Sequence, residues 1–288
     1  MISRKARACV RLVRVANSLM VGLAVIVGLV IVLGKNVVSL GAGRLIMAYM
    51  TGFFISGASM VLNDIADIEI DRVNAPDRPL ASGVITVGDA WACHLTLAFL
   101  GLASSAPLGI WPLIVALTGW LLGVAYDLWG KRSGFPGNLM VALATSLPFP
   151  YALAIAGVVE RRILVYWAMV FLTVLGREIV KDIADVEGDR EAGVRSLPII
   201  WGARRSAVAA AVLYLVAVAL SPLPLVWGDV NPLAYAPLVA IVDVILVWES
   251  IGIILYPSRE RALKSKKRVL WGMLIGLIAF LTAGLVGR

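Results

Sequence analysis

Two stretches of the chain, DIADIEIDR at 64–72 and DIADVEGDR at 182–190, agree at seven of nine positions and lie 118 residues apart. Each carries three aspartates spaced by three and four residues: Asp64, Asp67 and Asp71 in the first, Asp182, Asp185 and Asp189 in the second. On a helix such spacings place side chains on one face. Asn63, four residues before Asp67, adds an amide oxygen to the first set. Six carboxylates arranged this way repel one another and require a counter-ion. Oxygen donors without histidine or cysteine partners suit a hard divalent cation. Mg²⁺ binds through one or two carboxylates and completes its shell with water and substrate phosphates. Two such clusters would hold two or more Mg²⁺ ions around a diphosphate. The cations nearby fit that chemistry: Arg72, Arg78, Lys131, Arg132, Lys181, Arg190 and Arg195 could clamp phosphate oxygens. Tyr126 and Lys131, in AYDLWGKR, read as an aromatic or hydrogen-bonding wall and a diphosphate contact, or as an interfacial tyrosine with a positive charge beside it. Asn17 reads as a substrate contact or a bridge between helices.

The elements that must position these residues are apolar. Of the 288 residues 60% are hydrophobic and only 15% charged, against about 25% charged in soluble domains. A helix crossing the hydrocarbon core needs about 20 mostly apolar residues. Nine segments qualify: 15–34, 45–63, 89–105, 109–127, 138–158, 163–181, 205–225, 233–255 and 269–287. The basic start leads into a run of span length without a small-residue cleavage site, which predicts a retained first span. With the N-terminus in the cytoplasm, 21 of the 26 Lys and Arg residues fall on the cytoplasmic side; Lys35, Arg44, Arg161, Arg162 and Arg288 fall on the other. That bias predicts a multi-pass protein of the cell membrane with both acidic stretches facing the cytoplasm. No nucleic-acid partner is expected. The stretches follow spans 2 and 6, equivalent places four spans apart, which suggests a pseudo-repeat. Cys9 and Cys93 make neither a disulfide framework nor a metal pattern. His94, the one histidine, reads as structural, and no role is assigned to the intramembrane acids Asp243 and Glu249.

Two blander readings stand beside the diphosphate site. Charged residues at span ends can be solvated interface; twofold repetition, which topology does not demand, speaks against that. Intramembrane carboxylates also mark ion paths, so a cation transporter is the alternative of another class, although here the carboxylates close the spans and do not interrupt their middles.

The motifs resemble those of the UbiA superfamily of intramembrane prenyltransferases. NDIADIEID at 63–71 with DRPLASG at 77–83 is similar to the family's first motif. DIADVEGD at 182–189 is similar to the second, and Tyr126 to Lys131 to the tyrosine–lysine element between spans 4 and 5. The likeness covers the whole chain, 1–288, as one membrane domain. It implies an all-α fold of nine transmembrane helices around a central lipid-accessible cavity, with the aspartates holding Mg²⁺ and an isoprenyl diphosphate. It also implies transfer of the isoprenyl group to a lipid or aromatic acceptor. In GREIVKDIADVEGDREAGVRSLPIIWG the second motif is similar to the archaeal ether-lipid branch, whose members transfer geranylgeranyl to geranylgeranylglyceryl phosphate. An aromatic acceptor such as 4-hydroxybenzoate is the alternative. Asp64 is the candidate for the acceptor's general base, because Asn63, Asp67 and Asp71 can already serve the metal.

Overall fold

The computed structural model describes residues 4–286. Arg288, assigned above to the outer side, and residue 287, the expected end of span 9, lie outside the described residues, as do the side chains of Arg4 and Lys5. Among the described residues every regular element is helical. In chain order the α-helices are α1 (Arg4–Leu12), α2 (Val15–Leu33), α3 (Ala42–Ala66), α4 (Ile68–Asn74), α5 (Val87–Ser105), α6 (Ile110–Leu128) and α7 (Phe135–Ser146). They continue as α8 (Pro148–Ala156), α9 (Arg161–Glu191), α10 (Leu197–Trp201), α11 (Ala203–Leu220), α12 (Leu223–Val226), α13 (Pro232–Leu255) and α14 (Arg259–Val286).

Eight of these stretches are long and apolar enough to cross a membrane, and the pair α7–α8, bent by 42°, passes the same test taken together and makes a ninth if the two form one span. The pair corresponds to the fifth expected span. Its break falls at Pro148, which has no N–H to continue the helical ladder and whose ring crowds the carbonyl four residues back. Two other expected spans are too short at their cytoplasm-assigned ends. The sixth continues from 181 to Glu191 in α9, and the ninth begins at Arg259 instead of 269. Hydrophobicity marks only the part of a helix that lies in hydrocarbon, whereas backbone hydrogen bonding continues until a breaker appears. For α9 that breaker is Gly193, in the left-handed region at φ 70°. The second acidic stretch therefore rides on an unbroken helix. The first does not: α3 stops at Ala66, and Asp67 (φ −96°, ψ 5°) joins it to α4.

Chain contacts gather into two compact units, Met1–Ile26 with Val38–Leu128, and Val27–Val37 with Trp129–Arg288. In the first, α3 packs against α1, α5 and α6 through Ala58, Val61, Leu97 and Ala98, all buried. Small residues let helix axes approach closely. Thr86 and Asp89 cap α5 reciprocally, each side chain bonding the other's backbone N–H at 3.1 Å. His94 is buried between α3 and α6: its Nδ1 lies 2.9 Å from the Ala58 carbonyl and its Nε2 accepts from Trp120 Nε1 at 3.4 Å. A carbonyl only accepts, so Nδ1 donates there and the ring bridges the two helices.

In the second unit α9 packs against α7, α11 and α14, and α13 against α11 and α14. Ile179, Val180, Ala207, Ala210, Tyr214 and Val269 form its core. Glu249 on α13 is fully buried and pairs with Arg261 and Arg268 of α14, both at 3.0 Å. Asp243 accepts from Ser221 at 2.6 Å. The outward faces carry large exposed apolar side chains, among them Phe99, Trp111, Leu233, Trp248 and Trp271. On so many long apolar helices these are lipid-facing surfaces. The protein is an integral, multi-pass membrane protein.

Candidate functional site: two acidic clusters

In the first cluster Asn63 and Asp64 occupy the last turn of α3, Asp67 the joint, and Asp71 the short α4. Asp64 is 4% exposed. Its Oδ1 accepts from Arg14 Nη2 at 2.6 Å and lies 3.4 Å from Arg78 Nη1. Arg78 also donates to Asp71 Oδ2, so one guanidinium ties the first and third aspartates together. Partial burial works against charge on Arg78. Its hydrogen bond to Asp71, with the fields of Asp64, Asp71 and Asp67, outweighs that and holds the guanidinium above its ordinary pKa. Arg14 sits at the break between α1 and α2 with φ 47°. That region costs a non-glycine residue roughly 1–2 kcal/mol.

Asn63 reaches in another direction. Its Nδ2 donates to Oδ1 of Asp127 at 3.0 Å. Asp127 closes α6 and is itself buried. Tyr126 beside it and Asp67 are half-buried. Arg72 pairs with Glu69 at 2.7 Å on an exposed face, and Asn17, on the first turn of α2, is exposed.

In the second cluster the homologous position is bound differently. Asp182 is buried, and its Oδ2 accepts from Nδ2 of Asn138, on the first turn of α7, at 2.6 Å. Asp189 is half-buried and Asp185 exposed along the last turns of α9. Lys181 lies 3.3 Å from Glu178, which also pairs with Arg177 at 2.9 Å. Arg195 is exposed in the turn after α9. Gly134 has φ 72°, and a Cβ there would collide with the Arg195 carbonyl. The turn that carries the half-buried Lys131 thus closes against the segment after α9.

Near-identical nonapeptides have acquired unlike partners: two guanidiniums for Asp64 and Asp71, a neutral amide for Asp182. Asp64, the candidate base, is buried against Arg14 and Arg78. Three of the partners have no signature in the sequence. Arg14 is one of several basic residues of the N-terminal stretch. Asp127 lies within AYDLWGKR with nothing local to set it apart. Asn138 carried no signal beyond being an amide at the start of a span. Among the described residues no three acidic, histidine or cysteine side chains converge into a ready-made ion cage.

Residues 21–274 match the model of the UbiA prenyltransferase family. The digeranylgeranylglyceryl phosphate synthase of Methanosphaera stadtmanae is 34% identical over 276 residues, 94% of this chain and 97% of its own. That of Archaeoglobus fulgidus is 32% identical over 283 residues, 97% and 96% of the two chains. A solved structure of digeranylgeranylglyceryl phosphate synthase in membranes superposes with a TM-score of 0.85 at 32% identity, covering 99% of this chain and 100% of that one. A UbiA homologue from Archaeoglobus fulgidus, solved with GPP and Mg²⁺, shares the fold at a TM-score of 0.70 and 18% identity, over 93% and 99% of the two chains.

Proposed function

The chain belongs to the UbiA prenyltransferase family, and from that membership we propose that it transfers geranylgeranyl from geranylgeranyl diphosphate to geranylgeranylglyceryl phosphate, acting as one domain over both units. The observation that carries the acceptor is likeness over nearly the full chain, at 34% and 32% identity, to digeranylgeranylglyceryl phosphate synthases.

The donor set of the clusters fits Mg²⁺. Asn63, Asp67, Asp71, Asp182, Asp185 and Asp189 offer only oxygen, the hard donor type the ion prefers. An ion that takes one or two carboxylates and finishes its shell with water and phosphate oxygens needs no closed protein cage. Bound there, Mg²⁺ supplies charge neutralisation of the leaving diphosphate. Arg14 and Arg78 neutralise Asp64 and Asp71 in the chain on its own. Their guanidiniums, like those of Arg72 and Arg195, are forked donors suited to phosphate oxygens, and Lys131 and Lys181 add point charges. In the reaction the allylic C1–O bond of the donor breaks and diphosphate leaves with the electron pair. The glycerol hydroxyl oxygen bonds to C1, and its proton passes to a carboxylate of the clusters. Apolar helices keep water from the electron-poor carbon. The active site opens to the cytoplasm, where the positive-inside bias puts both clusters.

The test is a paired assay. Purified protein receives Mg²⁺, labelled geranylgeranyl diphosphate, and geranylgeranylglyceryl phosphate or 4-hydroxybenzoate in separate reactions. A doubly prenylated glycerol phosphate supports the proposal. Prenylated hydroxybenzoate alone overturns it in favour of an aromatic acceptor.

A further inference from the structure

Asp127 is a buried acid that belongs to neither acidic stretch, closing α6 where the chain leaves its fourth span. It takes the Asn63 amide nitrogen at 3.0 Å. An ionised carboxylate can only accept, so the group it holds must be the NH₂ of Asn63. The two ends of a side-chain amide point in opposite directions. Fixing the nitrogen on Asp127 therefore fixes the oxygen on the other side, and of the two ends only oxygen ligates a hard cation. An asparagine without such a partner has two orientations, one of which presents N–H groups to the ion. The same kind of bond recurs with roles exchanged in the second cluster, where Asn138, outside the stretch, holds one oxygen of Asp182 and leaves the other.

We propose that Asp127 is a positioning residue of the first cluster, selecting the orientation of Asn63 that presents its amide oxygen to the divalent ion. The proposal rests on reading Asn63 as a metal ligand. It assigns to the aspartate of AYDLWGKR a role distinct from the phosphate contacts of its neighbours Tyr126 and Lys131. Partners that orient metal ligands are worth about 10–100-fold in metal affinity.

The experiment measures Mn²⁺ binding, by electron paramagnetic resonance, to the purified full chain with inorganic diphosphate and no acceptor. Metal affinity is thereby read apart from transfer. Asp127→Leu weakens Mn²⁺ binding at least about tenfold. Asp127→Asn recovers most of that loss, since its amide oxygen can still accept from Asn63. Asn63→Asp faces two carboxylates against each other and loses binding, although aspartate alone is the better ligand. Combining Asn63→Asp with Asp127→Asn restores the bond with the polarity reversed, and restores binding. Parent-like affinity in Asp127→Leu, or an Asp127→Asn variant as weak as Asp127→Leu, overturns the proposal. If Asp127→Leu fails to fold, the exchanged pair decides alone: no recovery over Asn63→Asp overturns it. Asn63→Ala tells the two readings apart. Parent-like Mn²⁺ binding there removes Asn63 from the metal site and the proposal with it. Loss there beside an unaffected Asp127→Leu removes the proposal alone.

Discussion

Asp67 and Asp185 hold the same place in the two nonapeptides, and both lie nearer solvent than the buried Asp64 and Glu249. One is half-buried at the α3–α4 joint, the other exposed on α9. Their substitution therefore separates chemistry from folding. Asp67→Ala and Asp185→Ala are each expected to lower prenyl transfer about 100-fold or more while the thermal melt in detergent stays within a few degrees of the parent. Transfer at the parent rate by folded protein would remove these residues from the site. Arg14 is the opposite case. Its guanidinium compensates an aspartate that is 4% exposed, and Arg78 is a longer contact to the same oxygen. Arg14→Met is expected to cost about 1.5–3 kcal/mol, the range for hydrogen bonds to charged groups, seen as an earlier melt without metal. An unchanged melt would show that Arg78 alone suffices.

At the scale of elements, the turn between α6 and α7 and the ends of α13 and α14 carry the sharpest expectations. Gly134 combines a left-handed backbone with a carbonyl where a Cβ would stand. Gly134→Ala is expected to displace the segment around Arg195, destabilise the second unit by more than about 1 kcal/mol and slow transfer, since Lys131 rides on the same turn. Proteolysis of the segment after α9 and the assay above check both parts. Glu249 joins α13 to α14 through two arginines. Removing one partner from a buried ion pair costs about 3–5 kcal/mol, so Glu249→Ala is expected to lower the yield of folded protein sharply. An unaffected melt would show that water or lipid headgroups reach Arg261 and Arg268.

For the whole molecule the expectation is orientation. In a chain lacking Cys9 and Cys93, Ser258→Cys should react with an impermeant thiol reagent only from the cytoplasmic side, and Asn36→Cys only from the other. The reverse pattern would invert the positive-inside assignment. Chelation is the companion test: EDTA stops transfer and added Mg²⁺ restores it, whereas transfer that persists after exhaustive chelation would leave the oxygen-only clusters without their ion.

Composition and local pattern determined a great deal of this. About 20 apolar residues per span is a property of the hydrocarbon layer, so eight spans and the apolar fifth segment could be located on the sequence, while the 42° bend of the fifth could not. Donor type follows from side-chain chemistry, so the oxygen-only donors from Asp64 to Asp71 and from Asp182 to Asp189, and the cations beside them, could be read on the sequence; that they hold a divalent ion is the proposal made above. What hydropathy could not reach was the helix beyond the hydrocarbon, as in α9 from 182 to 191 and α14 from 259 to 268, because hydrogen bonding there continues without apolar residues. What no pattern could reach were the partners. Arg14 to Asp64, Asn63 to Asp127 and Asn138 to Asp182 are separated by 50, 64 and 44 residues. Hydrogen bonds of 2.6–3.0 Å depend on where helices cross. Packing alone sets those crossings, and so two near-identical sequences ended with different counter-groups.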